Sequence, residues 1–367
     1  MESKKYLADW YDAIGFLEQQ NGGTILNGVP IPMLQRDIVD EIKNPGKEGT
    51  LDVDHIFTAM CVVVGLDEHF PYAGDYIAFL KENMEDSIQA LEGKILSAAQ
   101  SGDVERVYLF AHAKEILRGN TGDQLDTTYA MEGIYNLRWQ EDEGKSSEDL
   151  LKEIMDRYEE ILEKEPSNTA ALMALGRVHE ARAHWIKAKF YYEKALQSST
   201  DDATKEELRQ GIERVKEPAA IDGAKTYLHY GRYDDALKTI EEVDSQYTDP
   251  GTCTHIKGIA YYGLGDYERA VQYLEKAAHH TKANDVLNDY AIALAAIGKE
   301  EAAVSVLSET IEIDEKNRTA LMNRGILRYR MKDYECALQD FEAAYHLESN
   351  NDLWELIEQT RKLMEAE

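Results

Sequence analysis

The feature that most constrains this chain is a spacing. Five times between residues 169 and 350 a small residue is followed twelve positions later by a second small residue: Gly176 and Ala188, Ala224 and Ala236, Gly258 and Ala270, Ala291 and Ala303, Gly325 and Ala337. Small residues so placed let two helices approach closely. Between them lies a turn, marked by Gly231, Gly265 and Gly298, after which apolar residues return at helical intervals, as in Tyr267, Ala270, Val271, Leu274 and Ala277. Each unit therefore reads as a pair of antiparallel helices. Successive units start 48, 34, 33 and 34 residues apart, and a period near 34 with two helices per period points to a stacked array.

The residues at these positions resemble the tetratricopeptide repeat family. Leu172, Leu175 and Gly176 with Ala188, Tyr192 and Ala195 follow its pattern, as do Gly258, Tyr261, Ala270 and Ala277, and Leu321, Gly325, Ala337, Phe341 and Ala344. The resemblance implies an all-α chain whose helix pairs form a right-handed superhelical solenoid. Two departures stand out. The pattern's closing proline is missing from most units, and the 48-residue step implies an insertion near 199–214, expected as an extended or additional helix.

Outside 169–350 the pattern fades. Residues 86–168 read as degenerate helix pairs: SGDVERV aligns with GLGDYERA, and YAMEGIYNLRW precedes DLLKEIMDRYEEILEKEPSN after the connector QEDEGKSSED. Residues 1–85 form a non-repeating N-terminal helical region. There Tyr6, Leu7, Trp10, Ile14 and Leu17 mark an amphipathic first helix, and NGGTILNGVPIPM and NPGKEGTLDVD break the chain around three further helices. Short strand pairing is expected at most near Thr24–Ile31. Residues 351–367 read as a helix that closes the last repeat against water.

Composition narrows the function. Acids outnumber bases 70 to 40, for a net charge of −30, which argues against nucleic acid and against anionic membranes, since both are held by Lys and Arg. The N-terminal stretch is interrupted by Asp9, Asp12 and Glu18, unlike a signal peptide, and IFTAMCVVVGL is too short to span a bilayer. A cytoplasmic location is the expectation. Cys61, Cys253 and Cys336 are far apart, which suggests neither a disulfide framework nor a zinc knuckle. No phosphate loop, dinucleotide fingerprint or nucleophile elbow occurs, so neither an enzyme nor a cofactor is expected. In HEARAH, His179 and His184 are five apart rather than four, which sets them on different faces, with His184 in the turn between helices. His279–His280 reads as a pair at a helix end, meeting the carbonyl dipole.

The resemblance further implies that the first helix of each pair lines a groove for partner segments. The matching positions carry Arg177, Lys225 and Arg330 against Glu180, Asp222, Asp285 and Asp289, so the groove is close to neutral on a strongly acidic chain. Apolar residues such as Met173, Ile221, Leu228, Ile259, Ile292, Met322 and Ile326 fill about half of it. His255, Tyr262, Asn288, Asn323 and Tyr329 complete the candidate set. Family members that clamp a chaperone's terminal carboxylate use Lys and Arg beside the amides. Asn288 and Asn323 are present here without those partners. The expected ligand is a protein or peptide segment, apolar or amphipathic, anchored by Tyr262 and Tyr329 and oriented by Asn288 and Asn323. Two other readings stay open: a self-associating scaffold, a homo-oligomer, and a repeat protein that regulates a sensory or enzymatic region at 1–85.

Overall fold

The structure is a computed structural model that describes residues 2–18, 29–43, 51–141, 148–243 and 250–366. Among these residues it is all-α apart from one antiparallel pair of strands, and it divides into two compact units, Met1–Arg177 with Lys194–Lys205, and Val178–Glu193 with Glu206–Glu367.

The first unit starts with a 3-10 turn (Glu2–Leu7), α1 (Ala8–Asp12) and strands β1 (Ile14–Leu17) and β2 (Ile31–Leu34). Helices α2 (Gln35–Lys43), α3 (Val53–Leu66), α4 (Ala73–Glu82), α5 (Met84–Ser101), α6 (Val104–Arg118), α7 (Thr121–Glu141) and α8 (Glu148–Lys164) follow. Helix α3 contains the apolar run noted above, and every residue from Ala59 to Leu66 is buried. A helix apolar all round can be stable only when covered on all sides. Strand β2 and helix α6 supply much of that cover. At the closest approach a Cβ on Gly65 would lie 1.9 Å from the Leu109 carbonyl oxygen, so only glycine fits. One turn further along α6, the buried His112 donates from Nδ1 to the Gly65 carbonyl at 2.7 Å, and burial holds its pKa below the ordinary value. Beyond it, Lys114 reaches Asp126 at 2.7 Å and the fully buried Asp123 at 3.2 Å, with Arg118 also on Asp123.

The expected first helix is corrected here. Tyr6 and Leu7 lie in the 3-10 turn, Trp10 in the short α1, and Ile14 and Leu17 in β1, which pairs antiparallel with β2 in the register Ile14↔Leu34 to Leu17↔Ile31. Helical spacing is outcompeted by partners distant in sequence. Phe16 packs on Phe70 and Tyr72, with centroids 6.1 and 5.8 Å away, and Ile31, Met33 and Leu34 bury fully against the core. Of the stretch Thr24–Ile31 where strand pairing is expected, Ile31 pairs with Leu17; residues 24–28 lie outside the described residues, as does most of NPGKEGTLDVD and of the connector QEDEGKSSED.

In the repeat region α9 (Thr169–Ala181), α10 (Trp185–Ser198), α11 (Asp202–His229), α12 (Tyr233–Glu241), α13 (Pro250–Gly263), α14 (Tyr267–His280), α15 (Asn284–Ala296), α16 (Glu300–Ile313), α17 (Arg318–Arg330), α18 (Tyr334–Leu347) and α19 (Asn351–Ala366) succeed one another. The sequence period becomes one repeated backbone turn. Ala183, Gly231, Gly265, Gly298 and Lys332 all take positive φ, between 56° and 80°. In each turn the following N–H bonds the carbonyl five residues back, from His184→His179 to Asp333→Arg328, at 2.8–3.0 Å. This is the Schellman arrangement, which satisfies the last carbonyls of one helix while aiming the chain into the next. In the first unit Gly102 makes the same turn between α5 and α6, with Asp103 bonding back to Ala98. Asp103, Asp266 and Asp333 then cap the next helix through their side chains.

Helix contact explains the small residues. Ala188, Ala236, Ala270, Ala303 and Ala337 are all 0% exposed, and a Cβ on Gly258 or Gly325 would meet Leu274 at 2.5 Å or Phe341 at 2.6 Å. Within the second unit α13 to α19 stack in succession as a solenoid of helix pairs. Leu294, Leu307 and Leu327 fill one interval and Leu321, Phe341, Leu353 and Ile357 another, where α19 packs against α18. The insertion near 199–214 is built as an extension: α11 is one helix of 28 residues that carries Pro218 inside it.

Candidate functional site

Helices α13, α15 and α17 are the first helices of three successive pairs, so residues at equivalent positions recur on one side of the array. There, Tyr262, Ile292, Ala295, Ala296, Asn323, Ile326 and Arg330, with Leu307 and Leu327 beneath, line a cleft of about 350 Å3. Its rim is apolar and open: Tyr262 and Ile292 are each 37% exposed and Ile326 39%. Tyr262 is held by the Tyr267 ring, 5.2 Å between centroids, across the turn at Gly265. The lining contains one guanidinium, Arg330, and no carboxylate.

The structure brings some candidates together and assigns others elsewhere. Tyr262, Asn323 and Arg330 meet at the cleft. Lys225 is exposed on α11, outside it. Arg177 belongs to the first unit, where it interacts with Tyr129. His255 donates from Nε2 to Asp289 at 2.7 Å, joining α13 to α15. Asn288 is 6% exposed; it donates to the Asn284 carbonyl at 2.8 Å and accepts from Asn323 at 3.3 Å. Of the two amides expected to orient a ligand, Asn288 thus has both its donor and its acceptor engaged, the latter by Asn323 across α15 and α17. Glu180 and Arg214 form a similar bridge at 2.8 Å, and that guanidinium holds the Glu180 carboxyl below its usual range. Partners 34, 35 and 34 residues apart make these contacts. Much of the polar groove therefore joins one repeat to the next, a role that single-position reading cannot separate from ligand binding. Tyr329 is half-buried on the last core cluster, edge-on to Tyr334 at 5.5 Å, which makes it a packing residue as much as an anchor.

A second correction concerns His179 and His184. They do not sit on separate faces of one helix: α9 ends at Ala181, and the turn at Ala183 folds His184 back until the two Nδ1 atoms are 3.4 Å apart. The sequence places His184 in the turn; the fold-back comes from the positive φ of Ala183 and the His184 N–H bond to the His179 carbonyl. Asp340, on α18, is also unanticipated: it receives Arg324 at 2.7 Å and Arg328 at 2.8 Å, locking α17 to α18. Among the described residues no group of three or more His, Cys, Asp or Glu converges as a metal site, and no helix is long and apolar enough to cross a membrane.

Comparison with known proteins agrees with this architecture. Residues 257–318 match the family described as Tetratricopeptide repeat, and the chain carries tetratricopeptide repeats. It is similar to the tetratricopeptide repeat protein 36 homolog of Drosophila melanogaster, 29% identical over 123 residues, which span 32% of this chain and 66% of that protein. Among solved structures it is similar to YrrB, described as a TPR protein with an unusual peptide-binding site, at 18% identity and a TM-score of 0.36, covering 53% of this chain and 94% of that one. It is also similar to MamA, at 17% identity and a TM-score of 0.35, covering 49% and 91%.

Proposed function

We propose that the chain is a protein-interaction scaffold whose cleft between α13, α15 and α17 binds an apolar or amphipathic segment of a partner protein. The observation that carries this reading is the exposed trio Tyr262, Ile292 and Ile326 around a recess free of carboxylates on a chain of net charge −30. Burying apolar surface stabilises by about 25 cal/mol per Å2, so covering one such side chain contributes about 1.5 to 3 kcal/mol. An exposed charge pair contributes about 0 to 1 kcal/mol. Apolar anchoring therefore dominates, and Arg330 sets orientation at the rim.

The test is selection of peptides from a displayed random library on the folded protein, followed by anisotropy titrations. Peptides selected by the wild type should bind Tyr262→Ala and Ile326→Ala about tenfold more weakly or worse, with only modest loss between low and physiological salt. Binding that collapses with salt and survives both substitutions would place the ligand on the acidic outer surface instead.

A further inference from the structure

The Schellman turn has a side-chain consequence that varies from repeat to repeat. Its 6→1 hydrogen bond brings the residue three before the helix end against the one just after the turn. In the second repeat this pair is Tyr227 and Arg232, and the guanidinium lies 4.6 Å from the ring centroid. In the first repeat the same two positions hold His179 and His184. Their Nδ1 atoms are 3.4 Å apart and their ring centroids 5.6 Å.

From this geometry we infer that the turn after α9 is a two-histidine site for a borderline divalent metal ion, zinc being the best fit. Two nitrogens at about 2.0–2.1 Å from a tetrahedral zinc ion lie about 3.3–3.4 Å from one another, the separation found here. His179 is fixed. His179 is 3% exposed and its ring stacks on Tyr191, 5.4 Å between centroids and 5° from parallel. His184 is exposed, so water can complete the coordination sphere. As it stands, one ring donates Nδ1–H to the other. On metal binding the donor ring carries its proton on Nε2 instead, both Nδ1 lone pairs face the ion, and no net proton is released. Lys187 and Arg182 oppose the incoming charge, so a two-ligand site here binds more weakly than a closed four-ligand one.

Zinc titration of the full chain by calorimetry at pH 7.5 tests this. The wild type should take up one ion per chain at this site, and both His184→Ala and His179→Gln should weaken it about tenfold or more. A His279→Ala/His280→Ala control should retain it. His184 is on the surface, so His184→Ala should keep the wild-type helical spectrum, and zinc should raise the Tm of the wild type but not of that variant. Absence of zinc uptake by the wild type would overturn the proposal. So would uptake unchanged in both His179 and His184 variants, which would assign the ion to the acidic surface.

Discussion

Replacing Gly65 with alanine should be among the most damaging conservative changes available in this protein. The added Cβ would lie 1.9 Å from the Leu109 oxygen and 2.7 Å from its carbonyl carbon, both backbone atoms of α6 that no side-chain rotation can move. Restoring an ordinary contact near 3.5 Å requires α3 and α6 to part by roughly 1.5 Å. Overpacking of this kind costs about 1–3 kcal/mol. The same shift stretches the buried His112–Gly65 hydrogen bond, and a buried donor left unsatisfied adds about 1–3 kcal/mol. The expected total is about 2–6 kcal/mol, read as a drop in the urea midpoint by circular dichroism. Gly93→Ala is the internal control. It sits in α5 with nothing within 4 Å of the new Cβ, and should stabilise by about 0.5–1 kcal/mol through helix propensity alone. If Gly65→Ala falls within about 0.5 kcal/mol of the wild type, the close crossing of α3 and α6 is wrong.

Other perturbations separate the remaining claims. Ala183 and Lys332 occupy left-handed turn positions that glycine fills in the three repeats between them, so Ala183→Gly and Lys332→Gly should each raise thermal stability, by about 0.5–1 kcal/mol. Asp340→Ala leaves Arg324 and Arg328 partly buried without their carboxylate, and should cost about 3 kcal/mol by denaturant melt. Acid should destabilise in two stages. His112 and His179 have folded pKa values depressed by burial, His179 to about 4, so the unfolded chain binds more protons below the ordinary histidine value and stability falls as pH drops from about 6.5 toward 4. Asp123 is pushed up by burial, but the hydrogen bonds of Arg118 and Lys114 outweigh this and keep it below its ordinary value. Its contribution, present above the unfolded value near 3.8, is lost as pH falls through the folded one. Denaturant midpoints across pH 7 to 3 check the order.

What could be read from the sequence depended on how local its causes were. The repeat was legible because Gly258, Ala270, Gly325 and Ala337 act within a single helix pair, where the spacing and the contact are the same fact. The first unit was not. Ile14 and Leu17 fit a helical period, and only the partner strand some 17 residues on, with Phe70 and Tyr72, makes them β. Gly65 is one residue of an apolar run in the sequence, and its role is set by Leu109, distant in sequence. At the candidate site the apolar residues Tyr262, Ile292 and Ile326 are where helical position puts them. The status of Asn288 and Asn323 depended on a contact between repeats that no single unit encodes.

Whether a partner segment lies in the cleft of α13, α15 and α17 is decided by photo-crosslinking. A photoreactive phenylalanine analogue placed at Ala296, on the cleft wall, is compared with one at Glu301 on the neighbouring α16, outside the lining residues. A library-selected peptide should crosslink from position 296 and not from 301, and an excess of unlabelled peptide should abolish the product. Crosslinking from 301 with none from 296 would contradict the account.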